Sequence, residues 1–323
     1  LGNGIGLASN YTLVGGTGRI TPATVSLAAS RVYDGSTNFA AGAFDAAITG
    51  TVGGETLTIA SGAGTVPLKN VSAGTQTLTT GTLALGNGTG GGLASNYTLA
   101  GGTNTGTITA RALTVTAATD TKTYDGSTSS AATPTITVGT LAPVGGDSAT
   151  FLQTFDTRNA GSGKTLTASG AVNDGDGGNN YTVTFVPVAT GTINKATLTL
   201  NAATDSKTYD GTITSGGAVT TTGLATGTVS GGVADSVTGL TQAFDSRNAG
   251  ARTLSVNSGY VLNDGNSGGN YDVVSNPAAG TIEKANLTIS AVSNTKTYDG
   301  NTSASATPTV SGLRSGDAIP GLA

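Results

Sequence analysis

Apolar and polar residues alternate along much of this chain. Leu113-Thr114-Val115-Thr116-Ala117, Leu198-Thr199-Leu200-Asn201-Ala202 and Leu287-Thr288-Ile289-Ser290-Ala291 share the pattern, as does Tyr181-Thr182-Val183-Thr184-Phe185. Strict alternation sends one set of side chains to a buried sheet face and the other to water. Threonine on the outer positions suits extended backbone. Glycine-rich stretches such as Asp174-Gly175-Asp176-Gly177-Gly178 and Gly265-Asn266-Ser267-Gly268-Gly269 separate the runs and predict turns. No run combines helical periodicity with capping signals. The pattern predicts an all-β protein, with six or seven short strands in every 85–90 residues. That density suits a small antiparallel β-sandwich of Ig-like type.

The same pattern repeats on a larger scale. Tyr-Asp-Gly occurs at Tyr33-Asp34-Gly35, Tyr124-Asp125-Gly126, Tyr209-Asp210-Gly211 and Tyr298-Asp299-Gly300, at spacings of 91, 85 and 89 residues. A second tyrosine, preceded by Asn, recurs at Tyr11, Tyr97, Tyr181 and Tyr271, and only Tyr260 stands outside both motifs. A period this long marks small domains rather than solenoid rungs; a parallel β-helix would need self-similarity near 20 residues. Seams at Thr107-Ile108-Thr109, Thr192-Ile193-Asn194 and Thr281-Ile282-Glu283 divide the chain into repeats 23–110, 111–195 and 196–284. Residues 1–22 match the closing part of a repeat and 285–323 the opening part, so the chain is expected to be a segment of something longer. The seams contain no flexible linker, which predicts a semi-rigid rod.

Composition narrows the chemistry. The 323 residues include 52 Gly and no Cys, His, Met or Trp, and only 10% are charged. Disulfides, thiolate chemistry and the usual zinc sites are thereby excluded, as are the common nucleophile–base pairs. An enzyme is not expected. The net charge of −4 argues against nucleic acid, and no apolar stretch of membrane-spanning length occurs.

Three motifs invite a chemical reading. Asp-Gly in the Tyr-Asp-Gly motif is a turn former, and the tyrosine is expected to cover one end of the core with its hydroxyl on a backbone group. Phe155-Asp156-Thr157-Arg158-Asn159-Ala160-Gly161 recurs from Phe244 to Gly250. On a strand its Phe points inward, while Asp and Arg share the outer face as a weak exposed pair. The first repeat offers Lys69-Asn70-Val71-Ser72-Ala73-Gly74 without the Phe-Asp part. In the acidic glycine loop, Asp174 and Asp176 have a spacing that supplies oxygens to a hard cation such as calcium. The equivalent loops have fewer carboxylates, and a solvated hairpin turn is the expectation; no other cofactor is expected.

The recurring Lys-Thr-Tyr-Asp-Gly-(Ser/Thr/Asn) box, followed by the Asn-Ala-Gly, Asn-Tyr and Gly-Thr-Ile boxes, resembles the YDG and related MBG-type repeats of bacterial surface proteins. Such modules are similar to those in tandem in large filamentous-haemagglutinin-type adhesins. The resemblance implies secretion through the outer membrane by a two-partner route, and a role in adhesion, biofilm or fibre formation. It transfers no catalytic residue. The expected function is a structural stalk or fibre segment at the extracellular surface, the alternative a repeated glycan- or host-protein-binding module. Expected partners are neighbouring repeats, further copies in a filament, and a host or matrix surface.

Overall fold

The computed structural model describes residues 15–227 and 234–321. Tyr11, in the Asn-Tyr motif, lies outside the described residues. Among those described there is no α-helix, only strands and two short 3-10 turns at Val71–Ala73 and Ala94–Asn96. Contacts gather the chain into two compact units. One comprises Leu1–Thr116, Pro134–Phe151 and Ser169–Val186; the other comprises Ala117–Thr133, Leu152–Ala168 and Pro187–Ala323. The division falls inside repeat 111–195 rather than at a seam.

In the first unit, a four-stranded sheet has the order Asp45–Thr49, Ser26–Val32, Thr105–Thr109, Thr75–Thr77. Its central pair is parallel, with Thr105 opposite Ala28 and Thr109 opposite Val32, and the outer pairs are antiparallel. A three-stranded sheet, Thr135–Val138, Arg111–Thr116, Tyr181–Val186, has its own parallel pair, Arg111 opposite Tyr181. Alternation builds the core: Leu27, Ala29 and Arg31 on one strand are buried, together with Tyr33, Phe39, Ile108 and Leu113. Each fully buried Leu, Ile or Phe contributes about 1.5–3 kcal/mol by leaving water.

The second unit repeats the scheme. Ala196–Asn201 lies between Thr220–Thr222 and Tyr271–Asn276 in one sheet. Asp205–Thr208, Ala278–Glu283, Gly250–Val256 and Gln242–Phe244 form another. Again the opening strands run parallel to the closing strands, Ala196 opposite Tyr271 and Lys207 opposite Ile282. Phe244, Leu254 and Ile282 are buried together in one cluster of its core.

The all-β class agrees with the alternation, but the antiparallel Ig-like expectation requires correction: the larger sheets are mixed, with parallel pairs inside them. Period two settles which side chains face inward and is silent about the direction of the neighbouring strand. Parallel pairing needs a long crossover, and here the body of each repeat between its opening and closing strands supplies one.

Candidate functional site

The Tyr-Asp-Gly box is built on a cation that the alternation turns inward. Arg31, Lys122, Lys207 and Lys296 each stand two residues before the tyrosine. They pair with Asp34, Asp125, Asp210 and Asp299 at 2.7, 2.9, 2.9 and 2.9 Å. Asp34, Asp125 and Asp210 also accept the backbone N–H of Ser36, Ser127 and Thr212 at 2.8, 2.8 and 2.9 Å, closing an Asx turn. The hydrogen bond from Lys207, followed by that from the Thr212 amide, holds the Asp210 carboxyl down at about 2. Arg31, Lys122 and Lys207 also lie over the rings of Phe39, Phe155 and Phe244, at 4.9, 5.4 and 5.3 Å. The first repeat therefore supplies its aromatic ring from a different strand, which the Phe-Asp motif alone misses. Each ring packs over a glycine of the closing strand, Gly106, Gly191 or Gly280. A Cβ there would come within 3.2, 2.8 or 2.7 Å of it.

In the Tyr-Asp-Gly boxes the hydroxyls of Tyr33, Tyr124 and Tyr209 go to carboxylates of the following repeat, not to backbone groups as the tyrosine-corner expectation had it. Tyr124 donates to Asp235 at 2.8 Å, and Tyr271 donates to the same oxygen at 2.7 Å. The two rings meet edge-on at 5.3 Å. Tyr33 and Tyr181 converge likewise on Asp147, at 3.5 and 2.7 Å, with rings 5.6 Å apart. Tyr209 donates to Asp317 at 2.7 Å. Tyr97 donates to Glu55 at 2.6 Å. The Asn-Tyr tyrosines also accept a backbone N–H: Tyr181 from Ala142 and Tyr271 from Ala225, both at 2.8 Å. Burial, reinforced by hydrogen bonds to the acids, raises the Tyr33, Tyr124 and Tyr271 phenols well above their usual range, and the Tyr181 phenol to about 12. Tyr298 of the fourth copy is 94% exposed, while Lys296 and Asp299 keep their ion pair. Gly35, Gly126, Gly211 and Gly300 all have φ between +80° and +86°. Gly35 additionally abuts the next repeat: a Cβ would fall 1.7 Å from the Val144 carbonyl oxygen.

Around these tyrosines the other two motifs lock together. Arg158 does not pair with Asp156 on a shared outer face; it reaches Asp235 at 3.0 Å and the Asp264 carbonyl, while Asp156 sits 3.5 Å from Lys164. Arg247 pairs with Asp317 in the same manner. The acidic glycine loop is not a solvated turn, because Asp174 and Asp264 are buried. Asp174 accepts the N–H groups of Asp176, Gly178 and Asn180 at 2.8, 2.9 and 2.9 Å. Asp264 does the same for Asn266, Gly268 and Asn270. Burial would raise both carboxyls, but the three amides outweigh it and hold them below the usual range. The ordered loops then aim Asn180 and Asn270 at the preceding repeat, where they accept the N–H of Val71 and Ala160 at 2.8 Å each.

Calcium fits this loop poorly. Both Asp174 oxygens are occupied by amides, and Asp176 accepts the Ser72 hydroxyl at 2.9 Å. Among the described residues, no three acidic side chains cluster to hold a metal ion.

Reading by motif missed the acceptors Glu55, Asp147, Asp235 and Asp317. Each follows Gly or Ala and precedes a small residue, as in Gly54-Glu55-Thr56, Gly146-Asp147-Ser148, Ala234-Asp235-Ser236 and Gly316-Asp317-Ala318. It also missed buried Gln153 and Gln242, which bridge the backbone of Ala118 and Ala203 through both amide atoms.

The YDG domain model matches residues 16–106, 109–190 and 194–279, and the chain belongs to the YDG domain family. No curated protein sequence matches it.

Proposed function

We propose that this chain is a structural stalk segment of a secreted bacterial adhesin, a semi-rigid series of modules at the extracellular surface whose immediate partners are neighbouring repeats of the same kind. One observation carries the reading. The side chains best suited to recognition or chemistry (Tyr33, Tyr124, Tyr209, Arg158, Arg247, Asp147, Asp235, Asp317) are spent on binding each repeat to the next. A chain that commits its tyrosines, arginines and buried acids to inter-repeat joints is organised to carry load and hold spacing.

Single-molecule stretching of the full chain tests this. Sequential unfolding steps are expected, each releasing about 300 Å of contour at roughly 3.5 Å per residue. A single all-or-none event would overturn the proposal.

A further inference from the structure

Tyr260 is the one tyrosine that neither motif absorbs, and it lines a cleft of about 1320 Å³ beside the Tyr124 joint. Thr128, Ser129 and Thr154 line it from one repeat, and Val261, Leu262 and Ser267 join Tyr260 from the next. Thr128, Thr154 and Ser267 are exposed there. The charges at the cleft, Arg158 and Asp235, neutralise each other at 3.0 Å. Ser267 has φ of +53°, the only positive value at a non-glycine position among the described residues. A non-glycine residue held there is strained, and such strain concentrates at binding sites.

A ligand for this lining needs no charge of its own, because Arg158 and Asp235 already pair with each other. It must carry many hydroxyls to answer the Ser/Thr wall, and an apolar face to lie on the Tyr260 ring. We propose that the cleft binds a neutral oligosaccharide, with Tyr260 as its stacking platform. The assignment is independent of the stalk reading. It concerns one joint only, since neither of the repeated tyrosine motifs supplies a counterpart to Tyr260.

Ligand-observed NMR on the full chain with maltotriose, cellotriose and chitotriose tests it. Saturation transfer to at least one trisaccharide is expected. Binding should weaken at least tenfold in Tyr260→Ala and stay within about threefold in Tyr260→Phe, which keeps the ring. Thr154→Arg, a bulky change on the exposed opposite wall, should block the cleft as strongly, so the test survives misfolding of the Tyr260 variant. Absence of transfer to all three sugars, or transfer unchanged by Tyr260→Ala and by Thr154→Arg, would overturn the assignment.

Discussion

The joint at Tyr124 and the joint at Tyr33 share a plan and differ in their cation. At the former, buried Asp235 gathers two tyrosine hydroxyls at 2.8 and 2.7 Å and the Arg158 guanidinium at 3.0 Å. At the latter, half-buried Asp147 holds Tyr181 at 2.7 Å but Tyr33 only at 3.5 Å. Lys69 stands where Arg158 would be, and its amino group lies 6.0 Å from the Tyr33 ring centre. Arg158 serves the Asp235 carboxylate and the Asp264 carbonyl together from one nitrogen, Nη2; a planar guanidinium and an ammonium are not interchangeable at such a position. Of these two joints, the one with arginine has the more buried acid and the shorter Tyr-Asp-Gly tyrosine contact.

Removing the acids should separate the joints most. Asp235→Ala strands a largely buried guanidinium and two hydroxyls, and should destabilise by about 3–5 kcal/mol. Asp147→Ala strands no arginine and should cost about 1–3 kcal/mol. Urea unfolding of the full chain measures both, and equal losses would break the comparison.

Alkaline pH should come next. A phenol whose folded pKa is raised stabilises fully below its unfolded value near 10 and loses that contribution as pH climbs through the folded value. For Tyr181, raised to about 12, the loss should therefore fall between about pH 10 and 12. Circular dichroism should show the loss of structure within that window, and structure retained unchanged above about pH 12 would contradict the joints.

Deleting single hydroxyls gives a smaller contrast. Tyr124→Phe removes a hydrogen bond to a charged group and should cost about 1.5–3 kcal/mol, whereas Tyr33→Phe, at 3.5 Å, should cost about 1 kcal/mol or less. Smallest of all, Lys69→Arg should add up to about 1 kcal/mol by giving Asp147 its missing partner. A crystal structure of that variant should show the Tyr33 contact shortened; an unchanged contact would remove the cation from the explanation.

Much of the module was legible from residues alone. Alternation marked the strands, Asp-Gly marked the turn after each tyrosine, and the Phe-Asp motif was read correctly as an inward Phe155. Strand direction was hidden, because Leu198-Thr199-Leu200 reads the same beside a parallel or an antiparallel neighbour. The joint was hidden for a different reason. Asp147 and Asp235 lie among glycine and other small residues, at unequal distances from the tyrosines that mark the period, so aligning on those tyrosines slides past them. Arg158 was misassigned because Asp156, two residues away, offered a local partner. Sequence gives no sign that Asp235 of the next repeat lies closer.

The parallel neighbours Arg111–Thr116 and Tyr181–Val186 bear on what happens when a module is pulled by its two ends. Tension enters the first strand at its start and leaves through the closing strands at their finish, which are opposite ends of a side-by-side pair. The load then acts along the strands in shear, and the bonds between them share it and must fail together. A hairpin pulled apart from its open end would instead unzip one rung at a time.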